Sequence, residues 1–178
     1  QRQMCIRDRS NGLQVDERIY DDLDDMLSDC READLNPIVC SAYRTEATQT
    51  RLYRNKVARV RASGVPEDRV EAEAARWVAK PGTSEHQLGL AVDIVDTQNQ
   101  VLNRAQEDTA VQQWLMEHCW EYGFILRYPP DKGEKTGIIY EPWHYRYVGR
   151  EAAGTIMERG LCLEEYLEET GVPAADLT

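Results

Sequence analysis

The stretch TSEHQLGLAVD places His86 and Asp93 seven positions apart across Gly89. His86 falls in polar, turn-forming sequence. Asp93 interrupts the apolar run LAVDIVD, where an ionised carboxylate is costly unless it is paired or bound to metal. A shared cation would account for both residues; so, from this segment alone, would an aspartate that caps a loop and a histidine that merely sits in a turn. Further along, YEPWHYRYVG supplies Glu141 and His144. The inventory is then two imidazoles, one carboxylate able to ligate and one spare. Catalytic zinc takes three protein ligands and keeps a fourth position open, whereas structural zinc closes all four, usually with thiolates. His86, Asp93 and His144 supply three. A metal lowers the pKa of bound water toward ~7, and a nearby carboxylate can take up the proton released, a role open to Glu141. The remaining histidine, His118, shares its helical turn with large apolar residues and reads as structural.

These residues need elements to hold them. The chain has 178 residues, 42% of them hydrophobic and four of them tryptophan, which suits one globular unit, and no stretch has the apolar length to cross a bilayer. A formal net charge of -11 disfavours nucleic acid as a partner. Five cysteines without a C-x-x-C pair encode neither a zinc ribbon nor a redox motif. Apolar residues at steps of three and four predict helices over 15–33, 44–64, 66–79 and 107–123, and two more in REAAGTIMERG and CLEEYLEE. NPIVCSAY, LAVDIVD, FILRYP, GIIYEPW and HYRYVG are β-prone, with LAVDIVD continuous enough in apolar character for a central strand. The expected fold is α+β, a small, mostly antiparallel sheet flanked by helices. One local difficulty follows: positions three apart on a regular strand face opposite ways, so Glu141 and His144 can serve one metal only if the backbone departs from regularity, which Pro142 favours.

The motif S-x-H-x-x-G-x-A-x-D (Ser84, His86, Gly89, Ala91, Asp93), followed by E-x-W-H (Glu141, Trp143, His144), resembles the VanY-like D-alanyl-D-alanine carboxypeptidases, zinc peptidases of the wider hedgehog/DD-peptidase group. SAYRTEATQ and YGFILRYP extend the likeness to about 37–149. The resemblance implies one Zn2+ on His86, Asp93 and His144, with Glu141 as general base and then proton donor to the leaving amine. It implies Arg44 as the group holding the substrate's terminal carboxylate, for which a guanidinium fork is well shaped. Gln49 and Ser84 are expected to assist in substrate binding, Trp143 and Tyr145 to be cleft wall or core, and Arg127 to pair with a buried carboxylate or line the cleft.

The implied activity is removal of the C-terminal D-alanine from peptidoglycan stem peptides. An L,D-carboxypeptidase acting on tetrapeptide stems and a non-catalytic zinc-containing cell-wall binding module are the alternatives. That substrate implies action outside the cytoplasm, in the cell envelope or secreted, by a chain expected as a monomer. QRQMCIRDR at the start has no signal-peptide pattern and resembles translated adapter sequence. Residues 1–9 are therefore set aside as foreign, any export signal or anchor is expected to be missing from this sequence, and residues 10–178 are read as a single zinc carboxypeptidase domain.

Overall fold

Ile19, Leu23, Met26, Leu27 and Cys30, spaced by three and four, are buried along one side of α1 (Glu17–Glu32) in the computed structural model of the chain, which describes residues 5–9 and 12–177. Asp16 caps this helix, its carboxylate accepting the Arg18 backbone N–H at 3.0 Å. The helix packs against a four-stranded sheet made of β3 (Pro37–Ser41), β4 (Ala91–Asp96), β5 (Phe124–Leu126) and β6 (His144–Tyr147), with the order β3-β4-β6-β5. All three pairings are antiparallel, as expected. The interior position of β4 explains its continuous apolar character, since Ala91, Val92, Ile94 and Val95 are all buried. α4 (Ala110–His118) adds Val111 and Leu115 to the same core, where Gln112 donates to Ile94 O and accepts from the Tyr145 hydroxyl at 2.7 Å.

Two satellite clusters stand beside that core. α2 (Glu46–Ala62) and α3 (Glu67–Ala75) meet through Val60, Val70 and Ala74. α6 (Arg150–Arg159) and α7 (Leu163–Thr170) enclose Ile156, Leu163 and Tyr166 with Ile125 of β5. The remaining elements are a single-turn helix, α5 (Gly133–Thr136), and a hairpin of β1 (Ile6–Asp8) on β2 (Gln14–Asp16). Of the leading residues set aside as foreign, 1–4 lie outside the described residues, and β1 falls among those that are described.

Three expectations need correction. The helix predicted over 66–79 ends at Ala75, and the chain instead turns through Trp77 to present Ala79 O to the Gln49 amide at 2.7 Å. The helix predicted over 107–123 is broken into α4 and a tight turn, Cys119–Tyr122, closed by Gly123 at a φ of +80°. GIIYEPW forms no strand: Gly137 is left-handed at +74°, and Pro142 has no N–H to offer a ladder.

Gly89 closes the turn between His86 and β4 at a φ of +69°, and a Cβ there would lie 2.8 Å from the Asp16 backbone nitrogen. An alanine would combine left-handed strain with a backbone clash. Gly89→Ala is expected to cost about 2–5 kcal/mol. Denaturant unfolding measures it, and a loss under ~0.5 kcal/mol would show that the turn relaxes freely.

Candidate metal centre and catalytic cleft

Strand register assembles the site. Asp93 of β4 is the direct partner of His144 on β6 and of Ser41 on β3, so three strands present these side chains as a row on one face of the sheet. Asp93 Oδ1 lies 2.9 Å from His144 Nδ1. His86 arrives from the loop before β4, in a short helical turn, Glu85–Leu88, that Gly89 ends. Its Nδ1–H donates to Ala42 O at 2.8 Å, which leaves Nε2 facing Asp93 Oδ2 at 3.4 Å. A backbone carbonyl on one ring nitrogen fixes the lone pair on the other, as a metal ligand requires.

The three side chains are buried, and one potential ligand atom from each lies within 4.8 Å of the other two. Two imidazoles and a carboxylate, with no thiolate among them, are the donor set of a catalytic rather than a structural zinc. The donors already attract a cation of the protein's own: Arg44 Nη2 lies 3.0 Å from both His86 Nε2 and Asp93 Oδ2. A buried cluster that holds positive charge against its donor atoms fits a divalent metal.

Glu141 reaches the centre by the irregularity the sequence called for. It precedes β6 in a turn in which His144 N–H donates to Glu141 O at 3.2 Å, so Pro142 and Trp143 reverse the chain and the two side chains meet. Glu141 Oε2 ends 4.0 Å from His144 Nδ1. Burial pushes the Glu141 carboxyl up to about 7, and the Asp93 charge adds to this. Asp93 itself is held well below the usual carboxylate range, because the His86 and His144 partners outweigh its burial. His144, against its burial, is lifted to about 9 by the carboxylates around it, while burial draws His86 down.

A pH dependence of the metal-stripped protein follows. Stabilisation from His144 is complete below its ordinary value of 6.5 and is lost as pH rises through about 9. Glu141, raised from 4.5 to about 7, also loses its contribution with rising pH, whereas the lowered His86 opposes that trend below 6.5. Above neutrality His144 acts first, joined as pH nears 9 by the thiols of Cys40 and Cys119, which burial pushes up to about 12 and which act in the same direction. Thermal melts of chelator-treated protein are expected to show the melting temperature falling from about pH 7 to about pH 9; a flat or rising profile would contradict the charged His144.

The row opens into a cleft of about 740 Å³. Arg44, Gln49, Ser84 and Glu141 line it beside the three donors, and Trp143 forms wall as expected. Arg44 is held by Ser41 Oγ, which accepts from Nη2 at 2.9 Å, and by Gln49 Oε1, which accepts from Nη1 at 3.2 Å. With its NH2 group on Ala79 O, Gln49 is engaged at both ends of its amide and braces Arg44. Ser84 is buried at the cleft wall. Tyr145 is core, and His118 stands away from the site, stacked on Trp114 and bonded to Glu121 at 2.8 Å.

Sequence reasoning missed a second layer of charge. Glu85, adjacent to a ligand, sits 3.6 Å from His144 Nε2 through its Oε2, and its Oε1 takes Arg127 Nε at 2.7 Å and Arg146 Nη1 at 3.2 Å. Arg127 has the buried carboxylate partner allowed for it. Glu164 of α7 completes the group, accepting from both Arg127 Nη atoms at 3.0 and 2.5 Å. The one signal in the sequence was a charged residue inside SEH; Glu164, 37 positions from Arg127, gave none.

Two histidines and an aspartate beside a further carboxylate, carried on a small antiparallel sheet, are the groups a metal-dependent hydrolase of α+β fold would need. Residues 12–150 match the family described as VanY, D-alanyl-D-alanine carboxypeptidase, and the chain belongs to that family. It is 51% identical over 158 residues to a D-alanyl-D-alanine carboxypeptidase of Enterococcus faecalis, covering 89% of this chain and 57% of that protein. A solved structure of VanYB in complex with D-alanine-D-alanine superposes with a TM-score of 0.87 at 47% identity, covering 96% of this chain and 91% of that one. The LD-carboxypeptidase LdcB follows at 0.78 and 35%, covering 93% and 74%. The chain spans about half the length of the curated relatives it matches, 57% and 44% of the first two.

Proposed function

We propose that this chain is a zinc-dependent carboxypeptidase that removes the C-terminal D-alanine from peptidoglycan stem peptides. One observation carries the reading: a largely enclosed carboxylate that is not part of the donor trio, Glu141, its side chain 12% exposed, lies beside it and faces the same cleft as Arg44. A binding module would have no use for that base. His86 Nε2, Asp93 and His144 Nδ1 would hold the zinc. When bound, the metal polarises the scissile carbonyl and makes water acidic enough to lose a proton near neutrality.

The chain's own residues do the rest. Glu141 takes the proton from the attacking water and returns it to the departing D-alanine nitrogen. Arg44 Nη2 lies against Asp93 Oδ2 and His86 Nε2, the groups that would hold the metal, so with the site filled that edge of the guanidinium would be available to the cleft. Ser41 and Gln49 keep it aimed. The freed edge pairs with the terminal carboxylate and thereby fixes which peptide bond meets the metal. Ser84 adds a hydroxyl at the cleft wall. The wall substrate puts this reaction outside the cytoplasmic membrane, and among the described residues no helix is long and apolar enough to cross one.

Likeness to L,D-carboxypeptidases at 35% and 36% identity favours cleavage before D-alanine in tetrapeptide stems as the second reading. D-alanine release by the zinc-loaded protein, measured on peptides ending in L-Lys-D-Ala-D-Ala and in L-Lys-D-Ala, separates the two. Preference for the first peptide is the expected result, and preference for the second establishes the L,D reading. Release from neither, with zinc bound, leaves the non-catalytic module.

A further inference from the structure

His144 is the ligand with an unanswered ring nitrogen. Nδ1 faces Asp93, while Nε2 is buried without a hydrogen-bond partner, and so is Glu85 Oε2, 3.6 Å away. Two orphaned buried polar atoms, one able to donate and the other to accept, need only a few tenths of an ångström to become a hydrogen bond. Glu85 is not free to turn elsewhere. Its other oxygen is shared by Arg127 and Arg146, and Arg127 is in turn gripped through both Nη atoms by Glu164. Arg127 also lies over the Tyr128 ring, 4.8 Å from its centroid, and Tyr128 packs its ring on His144 at 4.9 Å.

We propose that Glu164, on the C-terminal helix α7 and beyond the segment that matches the family, is a positioning residue for the metal centre, acting on His144 through Arg127 and Glu85. The inference rests on the zinc reading. Its physical basis is charge balance in a largely enclosed group, with Glu164 28% exposed at its outer end and the other three side chains 7–11% exposed. Glu85 and Glu164 neutralise Arg127 and Arg146 as two carboxylates against two guanidiniums. Without Glu164, two guanidiniums share one carboxylate, and the Arg127 Nη donors, left unpaired with the side chain only 8% exposed, draw on Glu85 Oε2. That oxygen then turns from His144 Nε2, and the imidazole loses the partner that fixes its orientation and raises its basicity toward metal.

The test is the zinc dissociation constant, obtained by competition with a chromophoric chelator. Glu85→Gln is expected to weaken zinc by about 10–100-fold, and Glu164→Gln to weaken it in the same direction by about tenfold. Glu164→Asp retains the charge and should recover most of the loss. Glu165→Gln is the control: that carboxylate, next to Glu164 on α7, pairs with Lys132 at 2.8 Å and accepts the Cys162 N–H at 2.9 Å, a cap the glutamine oxygen can keep, and it takes no part in the pairing of Arg127. It should bind zinc as wild type does. Neither Glu164 nor Arg127 lines the cleft, unlike Glu85 and Tyr128. Glu164→Gln should therefore keep its KM for peptide while kcat at limiting zinc falls and recovers with excess zinc. Affinity for zinc equal to wild type in folded Glu164→Gln would overturn the proposal, as would an equal loss in Glu165→Gln. Should Glu164→Gln fail to fold, unchanged affinity in Glu85→Gln overturns it just as well. Wild type that binds no zinc would instead remove the metal reading itself.

Discussion

Replacing Glu141 by glutamine is expected to lower kcat for D-alanine release by about 10²–10⁴-fold while zinc stays bound. Glutamine has nearly the same shape, and the proposed donors are His86, Asp93 and His144 rather than Glu141, so on that reading the metal loses no ligand. What disappears is the carboxylate beside the donors that would take up the proton, a group that burial raises to about 7 in the metal-free protein. KM should change little, because the proposed holder of the terminal carboxylate is Arg44. Steady-state kinetics with parallel metal analysis checks this. A variant that keeps more than about a tenth of wild-type kcat would remove Glu141 from the proton transfer.

The second large effect is expected at Asp93. Its two oxygens meet His144 Nδ1 at 2.9 Å, Arg44 Nη2 at 3.0 Å and His86 Nε2 at 3.4 Å, all in a buried setting. Asp93→Ala removes the anion from among three nitrogen partners and leaves the Arg44 charge uncompensated. Breaking a buried pair in this way costs about 3–5 kcal/mol, so the metal-free variant should melt well below metal-free wild type. Zinc should also stop stabilising it. A metal present at a thousand times its dissociation constant adds about 4.1 kcal/mol to wild type, which in a chain of this size raises the melting temperature by about 8–16 °C. Melts with and without zinc read both effects, and a zinc-dependent rise in Asp93→Ala equal to that of wild type would show that Asp93 is not a ligand.

The residues proposed as donors and base, and Arg44 with them, stand out in the sequence because each is chemically unusual in its local setting. Asp93 is a charge in an apolar strand, the chain holds only three histidines, and Arg44 follows a strand in a recognisable motif. Helix α1 and the central place of β4 were legible for the same reason, since periodicity and continuous apolar character are local properties. Strand formation in GIIYEPW was misread because side-chain type was weighed above backbone donors, and Pro142 with a left-handed Gly137 removes the ladder. The early end of α3 was misread because its reason is a contact 30 residues distant, Gln49 to Ala79 O.

By itself the sequence determined the kinds of group available, namely two imidazoles, a ligating carboxylate, a spare carboxylate and a guanidinium, and hence the chemistry they could perform. Tertiary structure decided which atoms meet. Strand register, not spacing, sets Asp93 opposite both Ser41 and His144, and a turn before β6 brings Glu141 to the centre. The charged group behind His144 was decided there as well, because Glu85, Arg127, Arg146 and Glu164 come together only when β4, β5, β6 and α7 have packed. Local sequence reports the cost of burying a charge but not the distant partner that offsets it, and that partner is fixed by packing.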